Sequence, residues 1–532
     1  MNAVMQDFPL TLHHIVWRME KLFARKTIVT KREDGLHRYT YGDLAARARR
    51  LAAALTRLGV QRGDRVATLA WNNYRHVELY YAVPCMGAVL HTLNLRLSPE
   101  QLAFIANDAG DSVIVVDESL LPLLEKFRAD VRTLRHVIVM NDDDYERRLA
   151  AESPDFVWPE LDERAPMAMC YTSGTTGHPK GVVYSHRSTF LHSLSMQLAS
   201  TLAVNESDVL LPIVPMFHAN AWGLPYAAAM AGASFILPDR WMGDAEAMIE
   251  LAISEKATWI GAVPTIWVAM LARLNGRKLP VREAMSGGSA VPRVLFESLD
   301  SNGINLVHAW GMTETSPLAT WCQPRSWHDG DLLSVRVTQG PPVPGVELRI
   351  CDLDSGAELP WDGVAFGEIH VRGPWVCAGY HNGADPTRMT SDGWFRTGDV
   401  ATLSPDGYVT IVDRAKDVIK SGGEWVSSVE LENAIMAHPK VLEAAVIGLA
   451  HPMWQERPVG FVVPRPEFRG ELSAEEILAH LSQHFMKWWI PDEIRFIDEV
   501  PKTSVGKFDK KALRAQAEPL TSASSGSESR SA

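Results

Sequence analysis

The chain has 532 residues, more than one hydrophobic core accommodates, so two or more domains are required. Its 46% hydrophobic and 22% charged content excludes a disordered polymer. A net charge of -12 argues against nucleic acid as a partner, because that grip depends on clustered cations releasing counterions.

Leu12, Ile15, Val16, Met19, Leu22 and Phe23 recur at helical spacing and predict an amphipathic core helix. The residues before them include Asp7 and lack the apolar core of a secretory signal. From Tyr41 to about Val139, helical segments such as Asp43 to Leu58 alternate with apolar runs such as Arg65 to Leu69 and Asp111 to Val116. That alternation predicts α/β layers.

A second α/β series runs from about Ala168 to Ala309, with strands expected at Val209 to Leu211, Ser234 to Leu237 and Trp259 to Val263. No Asp, Glu, Lys or Arg lies between Asp208 and Asp239, a stretch long enough to suggest a membrane span. Pro212, Pro215, Pro225 and Pro238, with His218 and Asn220, interrupt it, so a buried strand, loop and helix are expected instead.

From about Gly340 to Val412 short alternating strands, including Val346 to Cys351 and Gly367 to Val371, combine with Asp-Gly turns at Asp362, Asp392 and Asp406 to predict an all-β region. After Asp413 come a charged turn, a helix beginning near Ser427 and a small αβ unit ending near Ala515. The fold class is therefore α/β: a large multi-layer N-terminal domain over 1–412, built from two α/β subdomains and a small β subdomain, then a joint at 413–416 and a small α+β domain over 417–515. The Ser-rich tail, 516–532, is expected to be disordered. Lys502, Lys510, Lys511 and Arg514 read as a solvated basic face, with Lys507 set apart. Cys85, Cys170, Cys322, Cys351 and Cys377 form no CxxC pair and have no histidines at zinc spacing. They read as reduced, mostly buried thiols, which suits a cytoplasmic location.

The strongest chemical signal is Tyr171-Thr172-Ser173-Gly174-Thr175-Thr176-Gly177-His178-Pro179-Lys180-Gly181, set between apolar Met167 to Cys170 and Val182 to Tyr184. A strand, a hydroxyl-rich turn and a second strand would let backbone N–H groups and hydroxyls approach a polyphosphate, with Lys180 as a point charge. Gly174 and Lys180 have the separation of a Walker A loop, but Pro179 and Gly181 stand where its second glycine and its Ser/Thr belong. The expected guest is a nucleoside triphosphate outside the P-loop class.

This segment resembles the phosphate-binding signature of the adenylate-forming superfamily, which includes acyl-CoA synthetases, peptide-synthetase adenylation domains and luciferases, and the resemblance extends to Ala515. It implies ATP contacts from Thr172, Ser173, Gly174, Thr175, Thr176, Gly177 and Lys180. In Trp310-Gly311-Met312-Thr313-Glu314 it implies an aromatic on adenine, a threonine on phosphate and a glutamate on magnesium, with Thr175 as a second magnesium ligand. Trp310 stands where tyrosine is commoner, so stacking is kept and a phenol hydrogen bond is lost. Gly287 and Gly288 resemble the loop beside the adenine and the acyl chain. Asp399 and Arg414 correspond to the ribose ligands, although read alone a structural ion pair is the favoured reading.

The same resemblance makes Lys416 the hinge about which a mobile C-terminal domain swings, and Gly422, Gly423 and Glu424 the loop of the coenzyme A step. Lys507 corresponds to the lysine that stabilises charge on the α-phosphate. His218 corresponds to the residue over the carboxylate end. Trp222, Gly223, Val263, Gly287 and Gly311 would line the acyl site, where the uncharged segments suit an apolar tail. The implied reaction converts a medium- to long-chain fatty acid, ATP and CoA to acyl-CoA, AMP and pyrophosphate, with Mg2+ as cofactor. An aryl, cyclic or short sulfur-containing acid stays open as the alternative. An amino-acid adenylation domain is disfavoured because His218-Ala-Asn-Ala provides no aspartate for a substrate ammonium. A silent scaffold is disfavoured by Lys180, Glu314, Asp399, Arg414 and Lys507 together. Long-chain members of this family are often homodimers through the N-terminal domain, so a homodimer and transient membrane contact both stay open.

Overall fold

The computed structural model describes residues 4–172, 178–289, 291–421, 424–502 and 508–517. The chain groups into two compact units, one of Met1–Leu348 with Val371–Arg396 and one of Arg349–His370 with Thr397 onward. The boundary expected at 412/413 thus falls inside the second unit. The reason is local: Ser427 Oγ donates to Val412 O at 2.6 Å and Ser428 N donates to Asp413 Oδ2 at 2.7 Å, so the helix Ser428–Met436 is stitched to the strand Val409–Arg414.

The first unit contains two mainly parallel sheets. One has six strands in the order His136–Met140, Asp111–Asp117, Arg65–Leu69, Val89–Thr92, Pro166–Tyr171 and Gly181–Ser185, the last pair antiparallel. The other has eight, running from Leu318–Trp321 through Leu306–Gly311, Glu283–Ser286, Trp259–Ala262, Val209–Pro212, Ser234–Leu237 and Thr27–Arg32 to Gly35–Thr40. Parallel strands covered on both faces read as continuous apolar runs, which is why these short segments were visible in sequence.

Helices cover the sheets with the apolar stripe that their spacing predicts. The helix Tyr41–Arg57 begins in a capping box, with Thr40 Oγ1 accepting from Asp43 N at 3.2 Å and Asp43 Oδ2 accepting from Thr40 N at 2.9 Å. It buries Leu44, Ala48, Leu51 and Leu55 on one face. The uncharged stretch after Asp208 forms the strand Val209–Pro212, the wholly buried helix Leu224–Ala231 and the strand Ser234–Leu237. Among the described residues no helix is long and apolar enough to cross a membrane.

A four-stranded sheet orders Glu347–Cys351, Phe366–Arg372, Phe395–Leu403 and Val409–Arg414. A five-stranded sheet in the second unit is built around the long antiparallel pair Val441–His451 and Gln455–Pro464. The last described helix, Lys510–Gln516, ends one residue beyond the expected limit. All five cysteines are free, four of them buried.

The reading of Lys510 as a solvated cation is corrected. Its side chain is only 10% exposed and its ammonium sits 2.8 Å from Glu432, itself buried. Arg514 likewise pairs with buried Asp417 at 2.7 Å. A charge on the inner face of a terminal helix looks solvated in sequence because its partners lie far away along the chain.

Candidate active site

In the first unit, the expected phosphate turn joins the antiparallel strands Pro166–Tyr171 and Gly181–Ser185, with Tyr171 opposite Gly181. Ser173, Gly174, Thr175, Thr176 and Gly177 lie outside the described residues. The base of the turn is closed by Thr172 N donating to Lys180 O at 2.9 Å. Lys180 is half-buried; its ammonium pairs with Asp385 and lies 5.2 Å from the centre of the Tyr380 ring. The hydrogen bond from Lys180 holds the Asp385 carboxyl down to about 2.

Trp310 lies within the strand Leu306–Gly311, Thr313 and Glu314 follow it, and all three are buried. Tyr184 Oη donates to Thr313 O at 2.8 Å, which ties this motif to the strand leaving the phosphate turn. Tyr380 Oη donates to Glu314 Oε1 at 2.5 Å, and Cys377 N donates to Glu314 O at 2.8 Å. Burial, with the nearby Glu314 charge, pushes the Tyr380 phenol well above its ordinary range. Gly311 is dictated by crowding, because a Cβ there would stand 1.7 Å from Pro317 O.

Sequence reasoning missed Tyr380 and Asp385. One short stretch, 380–385, holds both the candidate phosphate lysine and the candidate magnesium carboxylate. The stretch has no hydrophobic periodicity, so only its departure from regular structure could have drawn attention to it.

The candidate acyl residues gather on a second wall of the same unit. His218 is half-buried and opens an unusual turn: Ala219, Asn220, Ala221 and Trp222 have φ of 43°, 52°, 48° and 57°, and Gly223 follows at 75°. Left-handed backbone costs about 1–2 kcal/mol per non-glycine residue, so the surroundings must hold it. They do so through Asn220, whose Oδ1 accepts from the Cys170 thiol at 3.2 Å, with Tyr80 Oη at 3.4 Å and Thr92 Oγ1 at 3.5 Å. Below the turn, a Cβ on Gly223 would meet the His192 ring at 2.8 Å. Burial holds His192 down to about 3, so its neutral ring accepts from Leu318 N at 3.2 Å.

Trp222 faces Gly261, where a Cβ would lie 3.7 Å from the indole. Val263 precedes the helix Pro264–Arg273, and a Cβ on Gly288 would lie 3.8 Å from its Cγ1. Gly287 has Ala309 O within 2.7 Å of a Cβ position, another site closed to side chains by backbone. Trp222 and Gly261 are thus neighbours, as are Val263 and Gly288, and none of these residues is charged.

In the second unit, Asp399 and Arg414 are cross-strand partners, with Arg414 Nε 2.9 Å from Asp399 Oδ1. The Asp399 side chain is 7% exposed and that of Arg414 40%. Lys416 is exposed and follows directly, in a turn closed by Asp417 N donating to Arg414 O at 2.8 Å. Gly422 and Gly423 lie outside the described residues, and Ser421 before them pairs with Glu424 after them. Lys507 also lies outside them, while its flanks Lys502 and Phe508 form a β-bridge.

The family model for AMP-binding enzymes matches residues 17–381, and that for the C-terminal domain of AMP-binding enzymes matches 430–507. The chain is 46% identical to a long-chain-fatty-acid–CoA ligase of Thermus thermophilus, covering 97% of this chain and 98% of that one. It is 44% identical to a 3-methylmercaptopropionyl-CoA ligase of Ruegeria lacuscaerulensis, with the same coverage. A medium-chain-fatty-acid–CoA ligase of Ectopseudomonas oleovorans is 41% identical over 92% of this chain and 93% of its own. Among solved structures, the anthranilate CoA ligase AuaEII in complex with anthranoyl-AMP aligns at a TM-score of 0.86 with 26% identity, over 97% of this chain and 99% of that one. ATP-bound MatB of Rhodopseudomonas palustris aligns at 0.84 with 28% identity, over 96% and 99%.

Proposed function

Because the chain belongs to the AMP-binding enzyme family and is an acid–thiol ligase, we propose that it joins medium- to long-chain aliphatic acids to CoA at the expense of ATP. In the first step a carboxylate oxygen attacks the α-phosphorus, the bond to the β,γ-phosphates breaks and pyrophosphate leaves. In the second, the CoA sulfur attacks the acyl carbonyl and AMP leaves. Activation is required because a carboxylate anion is a poor electrophile toward a thiol.

Lys180 and the turn before it bind the phosphates, Thr313 adds a hydroxyl, and Trp310 stacks on adenine beside Gly288. Asp399 accepts from the ribose hydroxyls and Arg414 orients it; their cross-strand pairing at 2.9 Å supports a preset ribose pair. Lys507 stabilises charge on the α-phosphate, His218 stands at the carboxylate end, and 413–416 with Lys416 provides the hinge. The turn containing Gly422, Gly423 and Glu424 serves the CoA step.

Glu314, with Thr175, fits magnesium: a buried carboxylate oriented by Tyr380 suits a hard cation. Among the described residues no three His, Cys, Asp or Glu side chains form a metal cluster. When bound, magnesium would neutralise phosphate charge.

The observation that supports the aliphatic reading is that Trp222 lies beside Gly261 and Val263 beside Gly288, with no charged group among the four. A short sulfur-containing acid is the second reading, favoured by the 44% identity to the 3-methylmercaptopropionyl-CoA ligase. AMP release with CoA, measured over a panel of aliphatic, aromatic and thioether acids, tests both. A preference for medium to long aliphatic acids is expected, and an aromatic or charged best substrate would overturn it.

A further inference from the structure

Three consecutive residues, Gln455, Glu456 and Arg457, converge on the strand Ile419–Ser421. Gln455, held at φ of 67°, is the β-partner of Ser421. Glu456 Oε2 accepts from Lys420 N at 3.0 Å. Arg457, 9% exposed, donates to Ser421 Oγ at 2.9 Å through one terminal nitrogen, which also donates to Trp488 O at 2.6 Å. Its other terminal nitrogen donates to Ile490 O at 3.0 Å and to Asp492 Oδ1 at 2.6 Å, and Nε donates to the same oxygen at 2.9 Å.

One guanidinium therefore joins Ser421 to the 488–492 segment through two side-chain and two backbone acceptors, and its planar fork of donors suits acceptors spread in this way. None of the three residues belongs to the candidate nucleotide or acyl groups. We propose that Gln455, Glu456 and Arg457 are the foundation that sets the strand pair Ile419–Ser421 and Glu424–Val426 for thioester formation, with Arg457 as its positioning residue. The proposal rests on the reading that Gly422, Gly423 and Glu424 serve the CoA step. A misplaced strand pair weakens only the step that uses it, since displacement by about 1 Å costs on the order of a hundredfold in a positioned reaction.

The test separates the two half-reactions in the full-length enzyme. Arg457→Ala is expected to leave acid-dependent exchange of pyrophosphate into ATP within about twofold of wild type, and to slow transfer from supplied acyl-adenylate to CoA about tenfold or more, with a higher KM for CoA. Asp492→Asn, which removes the negative charge from the acceptor of two of the five hydrogen bonds and keeps Arg457, is expected to give a loss of about three- to fivefold in transfer alone. It keeps the test sharp should the alanine variant fold poorly. Gly423→Leu, a direct lesion of the turn, serves as reference. Equal slowing of both half-reactions by Asp492→Asn would mark a general structural role and overturn the proposal. Wild-type transfer in both Arg457→Ala and Asp492→Asn, with transfer blocked in Gly423→Leu, would overturn the proposal while sparing the reading of the turn. Wild-type transfer in Gly423→Leu would overturn that reading, and the proposal with it.

Discussion

Lys510 and Glu432 form a buried ion pair at 2.8 Å, with 10% and 7% of their side chains exposed. Lys510 also donates to Ser428 Oγ, whose hydroxyl donates to Asp413 Oδ2. The helix that follows the candidate catalytic lysine is thereby anchored beside the candidate hinge. Removing one partner of such a pair strands a charge, at a cost of about 3–5 kcal/mol. Lys510→Met is expected to destabilise the second unit by that amount, and adding Glu432→Gln, which keeps an acceptor for Val446 N, should recover most of it. Urea unfolding measures both; a loss below about 1 kcal/mol in the single variant would show that the pair does not hold the helix.

Tyr380→Phe deletes the phenol donor to Glu314 and leaves the ring beside Lys180. A hydrogen bond to a charged group is worth about 1.5–3 kcal/mol, so the magnesium concentration for half-maximal adenylation should rise about tenfold or more. The measurement is pyrophosphate exchange across a magnesium series. An unchanged half-saturation point would mean that Tyr380 does not orient Glu314.

Much of the scaffold was legible because buried parallel strands leave compact apolar runs, and Ser234–Leu237 matches residue for residue. The candidate phosphate turn was legible because its chemistry is local, with all its hydroxyls and glycines in one stretch. Asp385 and Tyr380 were not, since their meaning lies in contacts to Lys180 and Glu314 that the fold alone creates. The left-handed turn at 219–222 was equally hidden: alanine and tryptophan carry no sign of such backbone, and only Asn220 favours it.

Glu283 is buried beneath Trp259, and desolvation raises its pKa to about 7. Between the ordinary value of 4.5 and 7 the unfolded carboxylate is ionised while the folded one keeps its proton, so the folded state binds more protons. Its contribution to stability is complete below pH 4.5 and is lost as the pH rises to 7, by about 3 kcal/mol in all. His76 and His308, each lowered to about 4 by burial, act with the opposite sign and lose stability as the medium is acidified below 6.5. The readout is therefore the difference between Glu283→Gln and wild type. The variant should gain relative stability as pH rises from about 5 to 8. A pH-independent difference in urea unfolding would refute the buried, protonated carboxyl.

Asn220→Ala tests whether the strained turn serves the acid. The substitution removes the acceptor shared by Cys170, Tyr80 and Thr92 and the one side chain in the turn that tolerates left-handed backbone. Losing buried hydrogen-bond partners costs about 1–3 kcal/mol, and Ala219, Ala221 and Trp222 would then relax toward ordinary conformations. Trp222 would swing away from Gly261, which it now faces. The expected kinetic signature is a KM for the acid raised about tenfold, with the KM for ATP within about twofold of wild type, because the bond from Thr172 N to Lys180 O that closes the phosphate turn does not involve Asn220. An equal rise in both constants would mean that the turn supports the fold of the unit as a whole and does not shape the acyl wall.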